Sequence, residues 1–217
     1  PKNISGDTWI SSDYRKKFAV DSRVGYQHYF NSSQQTFKIN INPRFRFSDK
    51  FTLIYSFDYI NSLNRNSFVS LLPRTVLFGI RNMESIENSI QGTYNFDTKQ
   101  GIKLSFRNFW SAATFIEDKY SILQPNGQLS PATISPARDP NANFNIWNLD
   151  LSYSWQFAPG SEAILLYRNS IFNLDNESDL GYLQSLESLL QEPLRQNISL
   201  RIVYYIDYNN VRNIFKS

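Results

Sequence analysis

Cysteine is absent from the 217-residue sequence, and histidine and methionine occur once each. The absence of cysteine excludes disulfide bonds, thiolate metal sites and cysteine nucleophiles. The single histidine, His28, cannot supply a histidine metal site, and no Gly-x-Ser-x-Gly motif is present. We therefore expect no catalytic residue, no cofactor and no metal, and we interpret His28 as an interfacial aromatic. A calcium site at Asp175, Glu177 and Asp179 is the less favoured alternative.

Long hydrophobic runs and an excess of one charge are also absent. No run reaches the roughly 18 apolar residues that a transmembrane helix needs. Lys and Arg total 22 and Asp and Glu total 19, a balance that argues against nucleic-acid binding. The mean hydropathy is −0.43 although 16% of the residues are aromatic. This combination is typical of a membrane barrel wall, in which alternate side chains face lipid and water.

Alternation is what the sequence does contain, most clearly over 147–157. Large apolar residues occupy the odd positions there and polar residues the even ones. Because successive side chains of a strand point to opposite faces, this segment has one apolar and one polar face. A strand of this length can cross a tilted bilayer path. Similar patterns predict eight strands in all, the others at 18–30, 37–47, 51–59, 85–96, 102–107, 163–171 and 197–208.

The connections between these strands alternate in length. Segments 48–50, 97–100 and 158–161 are short and carry turn residues, whereas 63–83, 114–142 and 174–195 are long. Short turns on one side and long loops on the other are typical of an outer-membrane barrel, with periplasmic turns and extracellular loops. The sequence therefore predicts a single all-β domain over 1–217, an antiparallel transmembrane β-barrel that either closes by itself or forms part of a larger barrel.

One long loop has helical periodicity. Leu180, Leu183, Leu186 and Leu190 recur at helical spacing within 179–191, which predicts a short amphipathic helix. Ser178 is the expected N-terminal cap, and Pro193 is expected to stop the helix. We expect the leucines to pack against other loops or the barrel mouth, with binding of a partner protein as the alternative.

Three segments carry a resemblance to a known family. They are LDLSYSWQFAPGSE at 149–162, LRIVYYIDY at 200–208 and YNFD at 94–97. They resemble the C-terminal region of an uncharacterised family of Bacteroidota surface proteins, in which a carbohydrate-binding-like β-sandwich precedes an outer-membrane barrel. The resemblance is strongest over the last third of the chain. It implies an outer-membrane location and the C-terminal portion of a longer protein, and it provides no enzymatic residue to transfer.

The alternation also assigns side chains to lipid or lumen. The predicted lipid-facing residues are Phe37, Ile39, Ile41, Leu53, Tyr55, Phe57, Leu104, Phe106, Leu149, Leu151, Tyr153, Leu200, Ile202 and Tyr204. The predicted lumen-facing charged residues are Arg23, Lys38, Arg44, Arg46, Asp58, Glu87, Lys103, Arg107, Asp150, Arg168, Arg201 and Asp207. Charges of both signs inside a barrel either pair across strands and hold the wall together, or line a pore that favours anions.

The pattern leaves several functions open. The favoured function is a membrane anchor, a scaffold or a component of an envelope complex, without catalysis. An anion-favouring pore is the first alternative, and a soluble lipocalin-like barrel that binds an apolar ligand is the second, because alternation alone does not say which face meets water. The expected partners are outer-membrane lipid and other envelope proteins, the latter through the loops and the 179–191 helix, but not nucleic acid.

Overall fold

Antiparallel strands make up most of the structure, a computed structural model that describes residues 2–30 and 32–206. The strands are β1 (Asn3–Ser11), β2 (Phe18–Tyr29), β3 (Gln35–Arg46), β4 (Phe51–Leu72), β5 (Thr75–Asn95), β6 (Gln100–Leu123), β7 (Leu129–Pro131), β8 (Ala142–Ala158), β9 (Ser161–Asp175) and β10 (Arg195–Val203). One helix, α1 (Tyr182–Leu189), lies between β9 and β10. The predicted lumen residue Asp207 lies outside the described residues.

All of these strands belong to one sheet, in the order β1-β2-β3-β4-β5-β6-β8-β9-β10, and β7 pairs with the end of β6. Every pairing is antiparallel, so the predicted all-β antiparallel fold is confirmed. The connections at 12–17, 47–50, 96–99 and 159–160 join strand ends on one side of the sheet, which we call the short-turn end. The opposite strand ends, which we call the loop end, are joined by the connections at 30–34, 73–74, 124–141 and 176–194.

The sheet is open, so the closed barrel of the sequence prediction is not what these residues form. A barrel closes only when its first and last strands pair with each other. In the described chain, β1 pairs with β2 alone and β10 pairs with β9 alone. Alternation of side chains reports the two faces of each strand, and it carries no information on whether the outer strands meet.

Of the three predicted long loops, 63–83 is largely strand and 114–142 is partly strand. β4 and β5 extend through most of 63–83 and leave only Pro73 and Arg74 between them, while β6 continues to Leu123. Register shifts lie between Ser62 and Arg65 and between Phe68 and Ser70. A β-bulge inserts an extra residue and so breaks the period of two on which the prediction depended. The third loop, 174–195, does hold the predicted helix.

Helix α1 packs against β6, β8 and β9. Its N-terminal cap is Gly181 and not the predicted Ser178, whose Oγ instead pairs with Thr114 Oγ1 at 2.9 Å. The helix ends at Leu189, ahead of Pro193. Across the described residues, no helix has the length and apolar character needed to cross a bilayer.

Gly160 in the β8–β9 turn provides a test of this fold. Its φ is +72°, and an added Cβ would lie 3.0 Å from Tyr205 Cβ. A left-handed conformation costs a non-glycine residue about 1–2 kcal/mol. We expect Gly160→Ala to lower the free energy of unfolding by at least about this amount, measured by denaturant titration. Gly6→Ala is the control, because nothing lies within 4 Å of the added methyl group, and an equal loss in both variants would contradict the turn geometry.

Candidate functional site

The cross-strand register sorts the strand side chains into two continuous faces. The pairs Leu53–Gly92, Gly92–Leu104, Leu104–Leu151 and Leu151–Tyr167 run across the sheet on one face. By the same register, all predicted lipid-facing residues that lie in strands share this face, which we call the apolar face. All predicted lumen-facing charged residues that lie in described strands share the opposite face, which we call the charged face.

The apolar face is solvent-exposed over much of its area. Leu151 is 40% exposed and Leu200 is 62% exposed. Other exposed large side chains on this face are Phe18, Val24, Tyr26, Phe37, Ile41, Tyr94, Trp155, Leu165, Ile198 and Ile202. Soluble monomers rarely expose contiguous apolar patches of more than a few hundred Å², and larger patches mark protein or membrane contacts. An exposed apolar face of this kind is typical of a surface that contacts another protein or a membrane.

A row of aromatic rings follows the short-turn end of the apolar face. Consecutive ring centroids along it lie between 4.8 and 6.5 Å apart. The row contains Phe18, Phe45, Phe47, Phe51, Tyr94, Phe96 and Tyr153. A further group of rings, Trp155, Phe157 and Tyr204, has centroids 5.6 and 6.3 Å apart. Such a belt at one strand end is the arrangement that membrane barrels place at a bilayer interface.

The charged face holds ion pairs between neighbouring strands. Arg107 Nη2 lies 2.7 Å from Glu87 Oε2. Arg168 binds Asp150 through two hydrogen bonds, Nε to Oδ1 at 2.8 Å and Nη2 to Oδ2 at 2.7 Å. These two pairs join residues that the sequence assigned to the lumen. More than half of the Arg168 side chain is exposed, and exposed pairs contribute at most about 1 kcal/mol.

Two further pairs include acids that the sequence analysis did not place at the site. Arg23 Nη2 lies 3.0 Å from Asp7 Oδ1, and Arg201 Nη2 lies 3.5 Å from Glu162 Oε1. Asp7 was missed because β1 was not predicted as a strand. The even positions of β1 include Gly6 and Thr8 between its two isoleucines, and Trp9 lies at an odd position, so the alternation is weak.

Several basic residues of the charged face make no ion pair within 2–30 and 32–206. They are Lys38, Arg44, Arg46 and Lys103. Arg44 lies over the Tyr14 ring, with Cζ 5.8 Å from the ring centroid. Lys38 and Asp58 line a cleft of about 350 Å³ on this face. Asp58 accepts a hydrogen bond from Asn40 Nδ2 at 2.7 Å in place of an ion pair.

The two faces exchange character towards the loop end of β5, β6, β8 and β9. Asn108 and Asn145 lie on the apolar face there, while Phe109 lies on the charged face. Phe144 also lies on the charged face, and its ring is 5.9 Å from Phe109 and 5.4 Å from Phe172 between centroids. In these four strands, the chemical distinction between the faces is therefore confined to the half nearest the short turns.

Helix α1 covers the polar part of the apolar face. The Tyr182 hydroxyl donates to Asn108 Oδ1 at 2.9 Å and accepts from Asn88 Nδ2 at 3.0 Å. Ser185 Oγ donates to Asn143 Oδ1 at 3.0 Å and accepts from Asn145 Nδ2 at 3.2 Å. Burial raises the pKa of the Tyr182 phenol, so the group stays protonated and remains a donor at neutral pH.

The same cluster anchors Trp110. Its Nε1 donates to Asn143 Oδ1 at 2.8 Å, and its ring lies 5.9 Å from that of Tyr182 between centroids. Asn143 Nδ2 is buried and has no hydrogen-bond partner among the residues that the structure describes. The cluster is a buried polar contact between helix and sheet. It was missed because Asn108 and Trp110 lie beyond the predicted strand 102–107, and Asn143 and Asn145 lie before the predicted strand 147–157.

The buried side of α1 differs from the leucine stripe predicted from the sequence. Ser185 and Leu189 are fully buried, whereas Leu183 is 75% exposed and Leu190 is 56% exposed. Leu186 is half-buried. Hydrogen bonds from Tyr182 and Ser185 to the sheet, which the leucine spacing could not reveal, set the rotation of the helix about its axis.

The remaining candidate residues take structural positions. Asp175 accepts hydrogen bonds from the Glu177 backbone N–H and from Asn173 Nδ2, both at 2.8 Å. No group of three or more His, Asp or Glu side chains with metal-binding geometry was found in the part of the chain that the structure describes. His28 lies on the apolar face at the loop end of β2, with its ring 5.9 Å from that of Phe30 between centroids.

Comparison with protein families matches residues 1–215 to the DUF5916 family, which is described as a domain of unknown function. The chain belongs to this family. The match covers both faces, the aromatic row and α1, so these features lie within one family unit. The family description names neither a membrane nor a bacterial group, and the outer-membrane location and Bacteroidota origin stay predictions from the sequence. No curated protein matches the chain.

The contact between α1 and the sheet can be tested by Tyr182→Phe. This change removes the hydroxyl that joins Asn88 to Asn108, and leaving such buried groups unpaired costs about 1–3 kcal/mol. We expect a loss of that size in the free energy of unfolding. Tyr26→Phe is the matched control, because Tyr26 is 47% exposed and makes one hydrogen bond, to Gln35 at 2.9 Å. Equal losses in the two variants would show that α1 does not depend on this cluster.

Proposed function

We propose that this chain forms part of the wall of an outer-membrane β-barrel that anchors or scaffolds an envelope protein. The observation that carries this proposal is the exposed apolar face bordered by the aromatic row. Leu104, Leu151 and Tyr167 lie side by side on this face, and rings such as Phe47 and Phe51 border it at the short-turn end. An exposed apolar band bordered by a row of aromatic rings is the surface that membrane barrels present to lipid.

A soluble partner layer fits the same surface less well. Soluble sheets bury their apolar face against a second layer of protein. In the described residues, α1 and the segment 178–181 before it lie over the apolar face, and they cover the stretch around Asn108, Asn145 and Thr114. The apolar half between α1 and the aromatic row stays exposed, which favours a bilayer as its solvent.

The open edges of β1 and β10 agree with a wall segment. Unpaired backbone N–H and C=O groups are costly in hydrocarbon, so a sheet that crosses a bilayer has no free edge. The membrane-embedded form therefore requires β1 and β10 to pair with each other or with further strands. The second arrangement gives a wider barrel with a larger lumen.

The charged face would line the interior of this barrel. Pairs such as Arg107–Glu87 and Arg168–Asp150 join neighbouring strands along the wall and do not cross the lumen. The two residues of each pair lie on neighbouring strands and not on opposite sides of the barrel. This arrangement supports a scaffold whose interior contains water. Outer-membrane lipid is the proposed partner of the apolar face, and other envelope proteins are proposed partners of the loop end.

An anion-favouring channel is the second candidate, carried by the basic residues that lack an ion pair. Lys38 and Lys103 add positive charge to a face on which Arg23, Arg107 and Arg168 already pair with carboxylates of neighbouring strands. Rings of positive side chains favour anions in a water-filled pore.

Leu151→Arg tests the membrane assignment. If Leu151 lies near the middle of the bilayer, a charge on the lipid face destabilises the inserted protein by about 2–4 kcal/mol. We expect this loss in urea titrations of the chain inserted in phosphatidylcholine vesicles. Ser152→Arg, one residue along and on the charged face, is the control and should cost far less. An unchanged free energy of unfolding in Leu151→Arg would contradict the proposal that this face meets lipid.

Lys103→Glu and Arg107→Gln distinguish a scaffold from a channel. For a channel, Lys103→Glu should lower the anion-to-cation permeability ratio in planar bilayers while thermal unfolding stays unchanged. For a scaffold, Arg107→Gln should lower stability by up to about 1 kcal/mol, since it breaks an exposed ion pair. Unaltered permeability in Lys103→Glu would remove the channel from consideration.

A further inference from the structure

Helix α1 has two chemically different flanks beside its sheet-facing side. Tyr182, Ser185 and Leu189 contact the sheet or are buried. Successive residues of an α-helix are rotated by about 100°, because 3.6 residues make one turn. Leu183 and Leu190 therefore fall together on one flank, and both are exposed. We call this side, with the half-buried Leu186, the leucine flank.

The opposite flank is polar. Gln184 is exposed, and Ser188 lies beside it on the helix surface. By the same rotation of about 100° per residue, Leu183 and Gln184 lie almost symmetrically on the two sides of the direction that faces the sheet. Glu187 is the one charged residue of the helix, and it points away from the sheet, between the flanks. The two flanks thus differ in polarity at matched distance from the sheet.

The hydrogen-bond pattern determines the order of the strands as seen from the apolar face. The Phe96 N–H donates to the Gln100 carbonyl at 3.0 Å, so the even-numbered residues of β6 form their hydrogen-bonded pairs with β5. Side chains at these even positions lie on the apolar face. For L-amino acids, β5 then lies to the right of β6 when the apolar face is viewed with the short-turn end below.

This order gives the direction in which the leucine flank points. Tyr182 contacts Asn88 of β5 and Asn108 of β6, and Ser185 contacts Asn145 of β8, so α1 runs from right to left in that view. A right-handed helix turns clockwise along its own direction. The leucine flank consequently faces the short-turn end and the exposed apolar face, and the polar flank faces the loop end.

We propose that α1 lies at the bilayer boundary as an interfacial helix, with Leu183 and Leu190 inserted among lipid acyl chains and Gln184 in water. The inference rests on the proposed function, since it takes the apolar face to meet lipid. What selects lipid as the occupant is continuity: the leucine flank extends the apolar face without an intervening charged residue of the helix. Helices with one apolar and one polar side lie in the interface plane in this way.

The absence of cysteine allows a direct test, because each introduced cysteine is the only labelling site in the sequence. A nitroxide is attached in turn to Leu183→Cys, Gln184→Cys and Leu151→Cys in the full chain, inserted in phosphatidylcholine vesicles. Oxygen, which concentrates in lipid, and a nickel chelate, which stays in water, are compared as relaxing agents. Leu183 and Gln184 are both exposed, so labels there leave the buried contacts of α1 unchanged.

The proposal expects the ratio of oxygen to nickel accessibility to be several-fold higher at Leu183→Cys than at Gln184→Cys, and close to the ratio at Leu151→Cys. A lipid-type ratio at Leu151→Cys with a water-type ratio at Leu183→Cys overturns the helix inference alone. A label at Leu183→Cys that neither agent reaches overturns it in favour of a protein contact. A water-type ratio at Leu151→Cys overturns the proposed function and the inference with it.

Discussion

Antiparallel register is the constraint on which both faces of this protein depend. A slip of one residue between two strands moves every side chain of one strand to the other face. Leu104 and Leu151 are direct partners, and two residues of β9 beside them, Tyr167 and Arg168, point to opposite faces. The bidentate contact of Arg168 with Asp150 exists only in the register that also places Leu151 beside Tyr167. Apolar neighbours on one face and ion pairs on the other thus specify one and the same alignment.

The energetic weight of the two faces differs with the solvent. Exposed ion pairs such as Arg107–Glu87 add at most about 1 kcal/mol each, so they align strands and contribute little to stability. Exposed leucines and aromatic rings cost nothing in lipid and are unfavourable in water. Dense packing is found where α1 covers Trp110 and Asn108, both almost fully buried, and again around Leu77 and Phe115 towards the loop end of β5 and β6. A single sheet with one short helix packed on it leaves most of its apolar face in contact with the solvent. Such exposure is unfavourable in water, and it supports the proposed bilayer location.

Period-two alternation was sufficient to sort the side chains of 37–47, 102–107, 147–157 and 198–202 onto two faces, because large side chains alternate with polar ones in these segments. It failed where the backbone departs from that period, as at the bulge after Ser62. It also failed for β1, so that Asp7, a residue of this strand, was identified only by its contact with Arg23 in the structure. Spacing predicted α1 but not its rotation, since the buried side follows hydrogen bonds from Tyr182 and Ser185 to distant asparagines. Those contacts join residues more than 40 positions apart, beyond the reach of any local pattern.

The two faces exchange their chemical character towards the loop end of β5, β6, β8 and β9. Above a membrane boundary, the outer side of a barrel wall meets water, so large apolar residues lose their advantage there. The apolar face changes from leucine and phenylalanine to asparagine on the side of α1 nearest the loops, where Asn143 and Asn145 lie. At the same level the charged face acquires Phe109 and Phe144, which pack together. This change supports the proposed membrane location, because the loop-end parts of β5, β6, β8 and β9 would then lie outside the bilayer. Helix α1 lies at that level with its leucines towards the apolar half.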